Sequence, residues 1–120
     1  MTYFYDSYAI IEILKESENY AAFKDNIITT SILNLFEVYY YLLRVYNKQT
    51  ADYWVKNLNF NFVELSPEVS VEASNFRFEN KNKDLSLTDC IGYVLALNSN
   101  LKFLTGDLKF EKVENVEFVK

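Results

Sequence analysis

Short apolar runs alternate along the chain with longer segments of helical period. Residues 2–5, Thr2 to Tyr5, are a brief aromatic run that stops at Asp6 and predicts a first strand. Tyr8, Ile11, Ile13 and Leu14 then recur at helical spacing, with Asp6 or Ser7 placed to cap that helix. Residues 19–24 predict a short second helix. Residues 26–30 predict a second strand, after which Thr30 or Ser31 caps a helix carrying Ile32, Leu35, Phe36, Tyr39, Leu42, Leu43 and Tyr46. Its apolar positions run almost all the way round, which predicts burial on more than one side. A further helix over 48–58 and a third strand over 60–65 follow. Ser66, Pro67 and Glu68 are a strong helix start: a capping hydroxyl, proline at the first position and an acid in the first turn. The polar stretch 80–84 reads as a loop, 87–97 as an apolar helix, and 102–105 and 116–119 as the last two strands.

The order β-α-β-α-α-β-α-α-β-β predicts helices covering a mostly parallel sheet, in one domain spanning 1–120. In such sheets functional groups collect at the carboxyl ends of the strands. A chain of 120 residues, half of them hydrophobic and 18% aromatic, builds a core without staples and is not disordered. Only two glycines and one proline argue against turn-rich β architecture.

Composition narrows the chemistry. The chain has no histidine and a single cysteine, Cys90, so imidazole catalysis, zinc clusters and an internal disulfide are excluded. Seventeen acids against twelve bases give a charge of −5, without the broad basic footprint of a nucleic-acid binder. No apolar run is long enough to span a bilayer, and no basic leader with an apolar stretch opens the chain, so the expected location is the cytoplasm.

Carboxylates are left, and four sit in telling places. Asp6 follows the first strand and Asp107 the fourth, so both fall at the carboxyl edge of the sheet. Glu37 lies inside the apolar run 32–43, and Asp89 opens the apolar helix 87–97. A charge in such surroundings is costly unless it is paired, metal-bound or aimed into a wet cleft. Each acid also admits a local role: Asp6 as a cap, Asp89 at a helix N-terminus, Asp107 in a turn, Glu37 facing solvent.

Tyr5-Asp6-Ser7, Leu35-Phe36-Glu37, Leu87-Thr88-Asp89-Cys90-Ile91 and Thr105-Gly106-Asp107-Leu108-Lys109-Phe110, in this order and spacing, resemble the PIN-domain family, and within it the VapC-like toxin ribonucleases. The resemblance implies a three-layer α/β/α fold with a five-stranded parallel sheet in order 3-2-1-4-5. It implies that Asp6, Glu37, Asp89 and Asp107 hold Mg²⁺ or Mn²⁺, with Thr105, and less directly Ser7, orienting a ligand or water. It also implies an RNA substrate, a small antitoxin partner and a homodimer. Gly106 stands where Asn or Arg is frequent in the family, and Cys90 where Ala is frequent.

Two carboxylates about 5 Å apart repel by roughly 3 kcal/mol at an effective dielectric of 20, which a hard divalent cation offsets. The reaction expected of this set is hydrolysis of a phosphodiester to a 5′-phosphate and a 3′-hydroxyl. Lys81, Lys83, Lys102 and Lys109 are candidate phosphate contacts, and Tyr39-Tyr40-Tyr41 is either an interface or covered by the helix carrying Tyr53 and Trp54. The sequence leaves other roles open: a receiver-like signalling module, a catalytically silent PIN-like scaffold, and an RNA-maturation or DNA-directed nuclease of the same fold.

Overall fold

The structure, a computed structural model, describes residues 3–120. In chain order it comprises β1 (Tyr3–Tyr5), α1 (Ser7–Leu14), a 3₁₀ segment (Glu18–Phe23), β2 (Ile28–Thr30), α2 (Ile32–Val45), α3 (Lys48–Asn57) and β3 (Phe60–Phe62). There follow α4 (Pro67–Glu79), a 3₁₀ turn (Lys81–Lys83), α5 (Leu87–Asn98), β4 (Lys102–Thr105), a 3₁₀ turn (Leu108–Phe110) and β5 (Val116–Phe118). Thr2, counted in the first predicted strand, lies outside the described residues. The segment predicted as a short helix over 19–24 and the loop over 80–84 both contain 3₁₀ turns.

The helix starts are encoded locally. Ser31, Asn47, Ser66 and Ser86 each accept a backbone N–H three residues on, and Pro67 fills the first turn of α4, where its missing N–H is harmless.

Side chains alternate across the strands and so fill two cores. Phe4 and Phe103 face one side, where they pack with Val94, Leu95 and Phe110 under α4 and α5. Tyr5 and Leu104 face the other, with Ile10, Ile28, Val38 and Leu42 under α1, α2 and α3. The result is three layers, helices on both faces of the strands. Gly92 sets the depth of α5: a Cβ there would meet the Phe4 and Phe103 rings at 3.1 and 3.2 Å.

The strands do not form the single five-stranded sheet expected from the sequence. They make two parallel sheets, β1-β4-β5 and β2-β3. The break lies between β1 and β2. The Tyr5–Asp6 peptide points its amide at Leu104 O of β4, 3.0 Å away. Its carbonyl therefore points to the opposite edge, where the Thr30 hydroxyl of β2 donates to it at 2.7 Å. A side chain takes the place of a backbone ladder, so β2 flanks β1 opposite β4 without joining its sheet.

The expectation that α2 is buried on more than one side also fails. Ile32, Phe36, Tyr40 and Leu43 form a stripe that is 38–72% exposed. Tyr39 and Tyr41 pack against the core instead, and the Tyr39 hydroxyl donates to Asp52 of α3. No helix among the described residues is long and apolar enough to cross a membrane.

Candidate active site

The carboxyl ends of β1 and β4 lie side by side, because Tyr5 is in register with Leu104. The next residue of each strand therefore meets the other: Thr105 Oγ1 donates to Asp6 Oδ2 at 2.7 Å. The same hydroxyl accepts the Asp107 amide at 3.1 Å, so one side chain ties Asp6 to the turn that carries Asp107. Thr105 is fully buried and Asp6 is 3% exposed. Gly106 leaves this turn its space: a Cβ there would stand 2.3 Å from the Val119 carbonyl and 2.4 Å from the Tyr8 ring. A larger residue has no room here.

On the other side of Asp6 a buried polar relay reaches Glu37. The Ser31 hydroxyl donates to Asn34 Oδ1 at 2.6 Å. Asn34 Nδ2 donates to Ser7 Oγ at 2.9 Å, and Ser7 Oγ donates to Glu37 Oε1 at 2.6 Å. Asn34 is fully buried with both ends of its amide used, which fixes its orientation. Sequence reasoning missed Asn34 and Ser31 as site residues. The signal was available: Asn34 is the polar residue one helical turn before Glu37, inside the same apolar run.

Asp89 forms a capping box with Ser86. Its Oδ2 accepts the Ser86 amide at 2.9 Å, and the Asp89 amide donates to Ser86 Oγ at 3.1 Å. Asp107 Oδ1 accepts the Lys109 amide at 3.0 Å and caps the following 3₁₀ turn. Asp6 begins α1 without a side-chain cap bond. The local roles foreseen for Asp89 and Asp107 are thus real, and the capping role foreseen for Asp6 is not.

Burial raises the Asp6 carboxyl to about 7, and the charges of Asp89 and Glu37 push the same way against the Thr105 and Ser7 hydrogen bonds. Burial also raises Asp89. The Ser86 bonds oppose that shift, Asp107 adds to it and Lys109 offsets it. The acids therefore feel one another as a chain, Glu37 with Asp6, Asp6 with Asp89, Asp89 with Asp107. They are not a closed cluster: among the described residues no three carboxylates converge tightly enough to hold one ion. Like charges in one crevice repel. Glu37, Asp89 and Asp107 each rest on a local donor instead. The donor set itself is oxygen only, and neither ion pair among the described residues involves Asp6. Acceptor-only carboxylates, with the ionisation of Asp6 and Asp89 disfavoured chiefly by burial, suit a hard divalent cation.

Of the lysines considered, Lys109 lies closest to this chemistry: its Nζ donates to the Asp84 carbonyl at 3.0 Å, and its charge reaches Asp89. Lys81 sits over the Phe78 ring, its Nζ 4.7 Å from the centroid.

The family model described as PIN domain matches residues 3–116. No curated protein sequence matches the chain. Solved structures with the same fold include VapBC2 from Rickettsia felis bound to a promoter DNA fragment, at 20% identity and TM-score 0.73, covering 97% of this chain and 96% of that one. The Mycobacterium tuberculosis toxin VapC20, described as cleaving the sarcin–ricin loop, matches at 14% identity and TM-score 0.76 over 99% and 100% of the two chains. DNA-bound VapBC from Salmonella typhimurium matches at 17% identity and TM-score 0.72, over 98% and 96%.

Proposed function

Because the chain belongs to the PIN domain family, whose model matches residues 3–116, we propose that it is a metal-dependent endoribonuclease and the toxin of a type II toxin–antitoxin pair. One observation carries this reading. Asp6, buried at the end of β1, shares its electrostatic field with Glu37 and Asp89 from two different helices and is hydrogen-bonded to Thr105 of β4. Three elements besides its own strand, α2, α5 and β4, bear on one carboxylate at the strand ends, where parallel sheets place their chemistry.

In this reading Asp6, Glu37, Asp89 and Asp107 would close round the ion only as it binds, since no three of them converge on one point as they stand. A divalent cation there, Mg²⁺ or Mn²⁺, supplies a Lewis acid for the scissile phosphodiester. Thr105 fixes the Oδ2 side of Asp6, and Asn34 through Ser7 fixes Oε1 of Glu37. Asp6 keeps its proton below pH about 7, so cation binding competes with protonation at this carboxyl.

The assembly is proposed on the same footing: one domain over 1–120, acting in the cytoplasm, held in check by a small antitoxin, and self-associated as a homodimer. The structures named as VapBC pair a toxin with its partner, and the stripe Ile32, Phe36, Tyr40, Leu43 offers an apolar surface for such contacts.

A second reading, a catalytically silent PIN scaffold, is favoured by one observation: Asp89 and Asp107 are already engaged in caps. Incubating the purified chain with RNA in Mn²⁺, in Mg²⁺ and in EDTA separates the two. Cleavage in either metal that stops in EDTA supports the nuclease, and intact RNA throughout supports the scaffold.

A further inference from the structure

A nuclease whose site is four carboxylates, in a chain of charge −5, must hold a polyanion against its own field. Positive charge beside the acids is scarce. Of the two arginines, Arg44 lies over the Tyr41 ring at 5.7 Å, on the opposite face of the fold from α4 and α5. The other, Arg77, enters neither ion pair among the described residues.

Arg77 lines a groove of about 210 Å³ between α4 and the first turns of α5. Ser70, Ser74 and Arg77 lie on one face of α4, spaced by one helical turn each, and supply two hydroxyls and a guanidinium. Leu87, Cys90 and Ile91 of α5 form the apolar side. No carboxylate lines the groove, so Arg77 is its one charged lining residue. Arg77 is in the last turn of α4, where a cation also suits the helix dipole; the hydroxyl pair beside it and the apolar wall opposite do not follow from that.

The groove adjoins the acids. The opening of α5 carries both Asp89, whose charge reaches Asp6 at the end of β1, and Leu87, Cys90 and Ile91, which line the groove. Cys90 links the two: it follows Asp89 directly in the chain and lines the groove with Arg77.

We propose that this groove is a substrate subsite, in which Arg77 and the Ser70 and Ser74 hydroxyls take a backbone phosphate of the RNA flanking the one at the acids. Guanidinium and hydroxyl donors are the usual partners of phosphate oxygens, and such contacts set the register of the strand without reading its sequence. The apolar wall of Leu87 and Ile91 then faces the adjoining sugar or base. This inference rests on the nuclease reading.

The test measures binding of a short single-stranded oligoribonucleotide in EDTA by fluorescence anisotropy over a range of salt, with cleavage kinetics in Mn²⁺ on the same oligonucleotide and on a dinucleotide. Arg77 is exposed, so Arg77→Ala leaves the fold intact, as circular dichroism checks. The expected result is about tenfold weaker binding, a salt dependence shallower by about one unit of slope, and a raised KM with little change in kcat. Arg77→Lys restores part of the affinity, and cleavage of the dinucleotide is unchanged. An Arg77→Ala chain that binds the oligonucleotide as tightly and with the same slope overturns the subsite while leaving the nuclease standing. Loss of affinity for a poly-glutamate peptide without loss for RNA gives the groove to a protein partner and also overturns it. A wild-type chain that neither binds nor cleaves RNA overturns both readings.

Discussion

The Thr105 hydroxyl donates to Asp6 Oδ2 across 2.7 Å and 99 residues of sequence. This bond joins the ends of β1 and β4 and leaves Asp6 with a buried carboxylate whose nearest charged neighbours are other acids. Burial and those neighbours raise its pKa from 3.8 to about 7. Between these values the folded chain holds a proton that the unfolded chain has lost, so stability falls as pH rises through this window and levels off above it.

That sign gives a first prediction. In EDTA, denaturant unfolding of the wild type shows lower stability at pH 8 than at pH 5, by up to ~3 kcal/mol from Asp6. Asp6→Asn, which keeps the acceptor for Thr105, is more stable than wild type at pH 8 and retains only the smaller fall due to Asp89, whose carboxyl is raised too. Equal pH profiles for the two proteins would remove the buried, repelled carboxylate from the account.

Cation binding should reverse the same penalty. Millimolar Mn²⁺ raises the Tm of the wild type, more at pH 8 than at pH 6, because protons and cation compete for Asp6. The increment vanishes in Asp6→Asn. Differential scanning fluorimetry at the two pH values reads both effects.

Asn34 is a positioning residue. Asn34→Ala removes a fully buried amide with partners at both ends, Ser31 and Ser7, and costs about 2 kcal/mol of stability. Ser7→Ala deletes the bond to Glu37 with a smaller change in packing. Both variants lower kcat more than they raise KM. A shift confined to Tm, with kinetics unaltered, would make the relay purely structural.

Gly106→Ala forces a methyl into the Val119 carbonyl and the Tyr8 ring. Overpacking of this kind costs roughly 1–3 kcal/mol. The damage is local, to the β4 turn that carries Asp107, so activity falls at temperatures where circular dichroism still reports a folded chain.

The stripe on α2 bears on assembly. Multi-angle light scattering is expected to give the mass of two chains for the wild type and of one for Phe36→Glu, since Phe36 is 72% exposed. A monomeric wild type would withdraw the homodimer.

How far the sequence disclosed this depends on the range of each signal. Helix starts were legible because a cap and its first turn are neighbours in sequence, as at Ser31 and Ser66–Pro67. The β1–β4 adjacency came from the family resemblance, and the register of Tyr5 with Leu104 agrees with it. The break between β1 and β2 was invisible, since it turns on a single hydroxyl, Thr30, meeting the Tyr5 carbonyl. The exposed face of α2 was misread because apolar periodicity does not say whether another element arrives to cover it. The four acids were singled out by their surroundings. Their pairing into a chain, with Asp89 and Asp107 held by local amides, depends on rotamers that no spacing encodes.

Cleavage of single-stranded RNA by wild type and Asp6→Asn, each in Mn²⁺, Mg²⁺ and EDTA, with the product ends determined, is the most direct test of the central claim. The account predicts 5′-phosphate and 3′-hydroxyl products from the wild type in metal only, and a loss of at least a hundredfold in Asp6→Asn, on the order of 3 kcal/mol in the barrier. Undiminished cleavage in EDTA, or by Asp6→Asn, would contradict it.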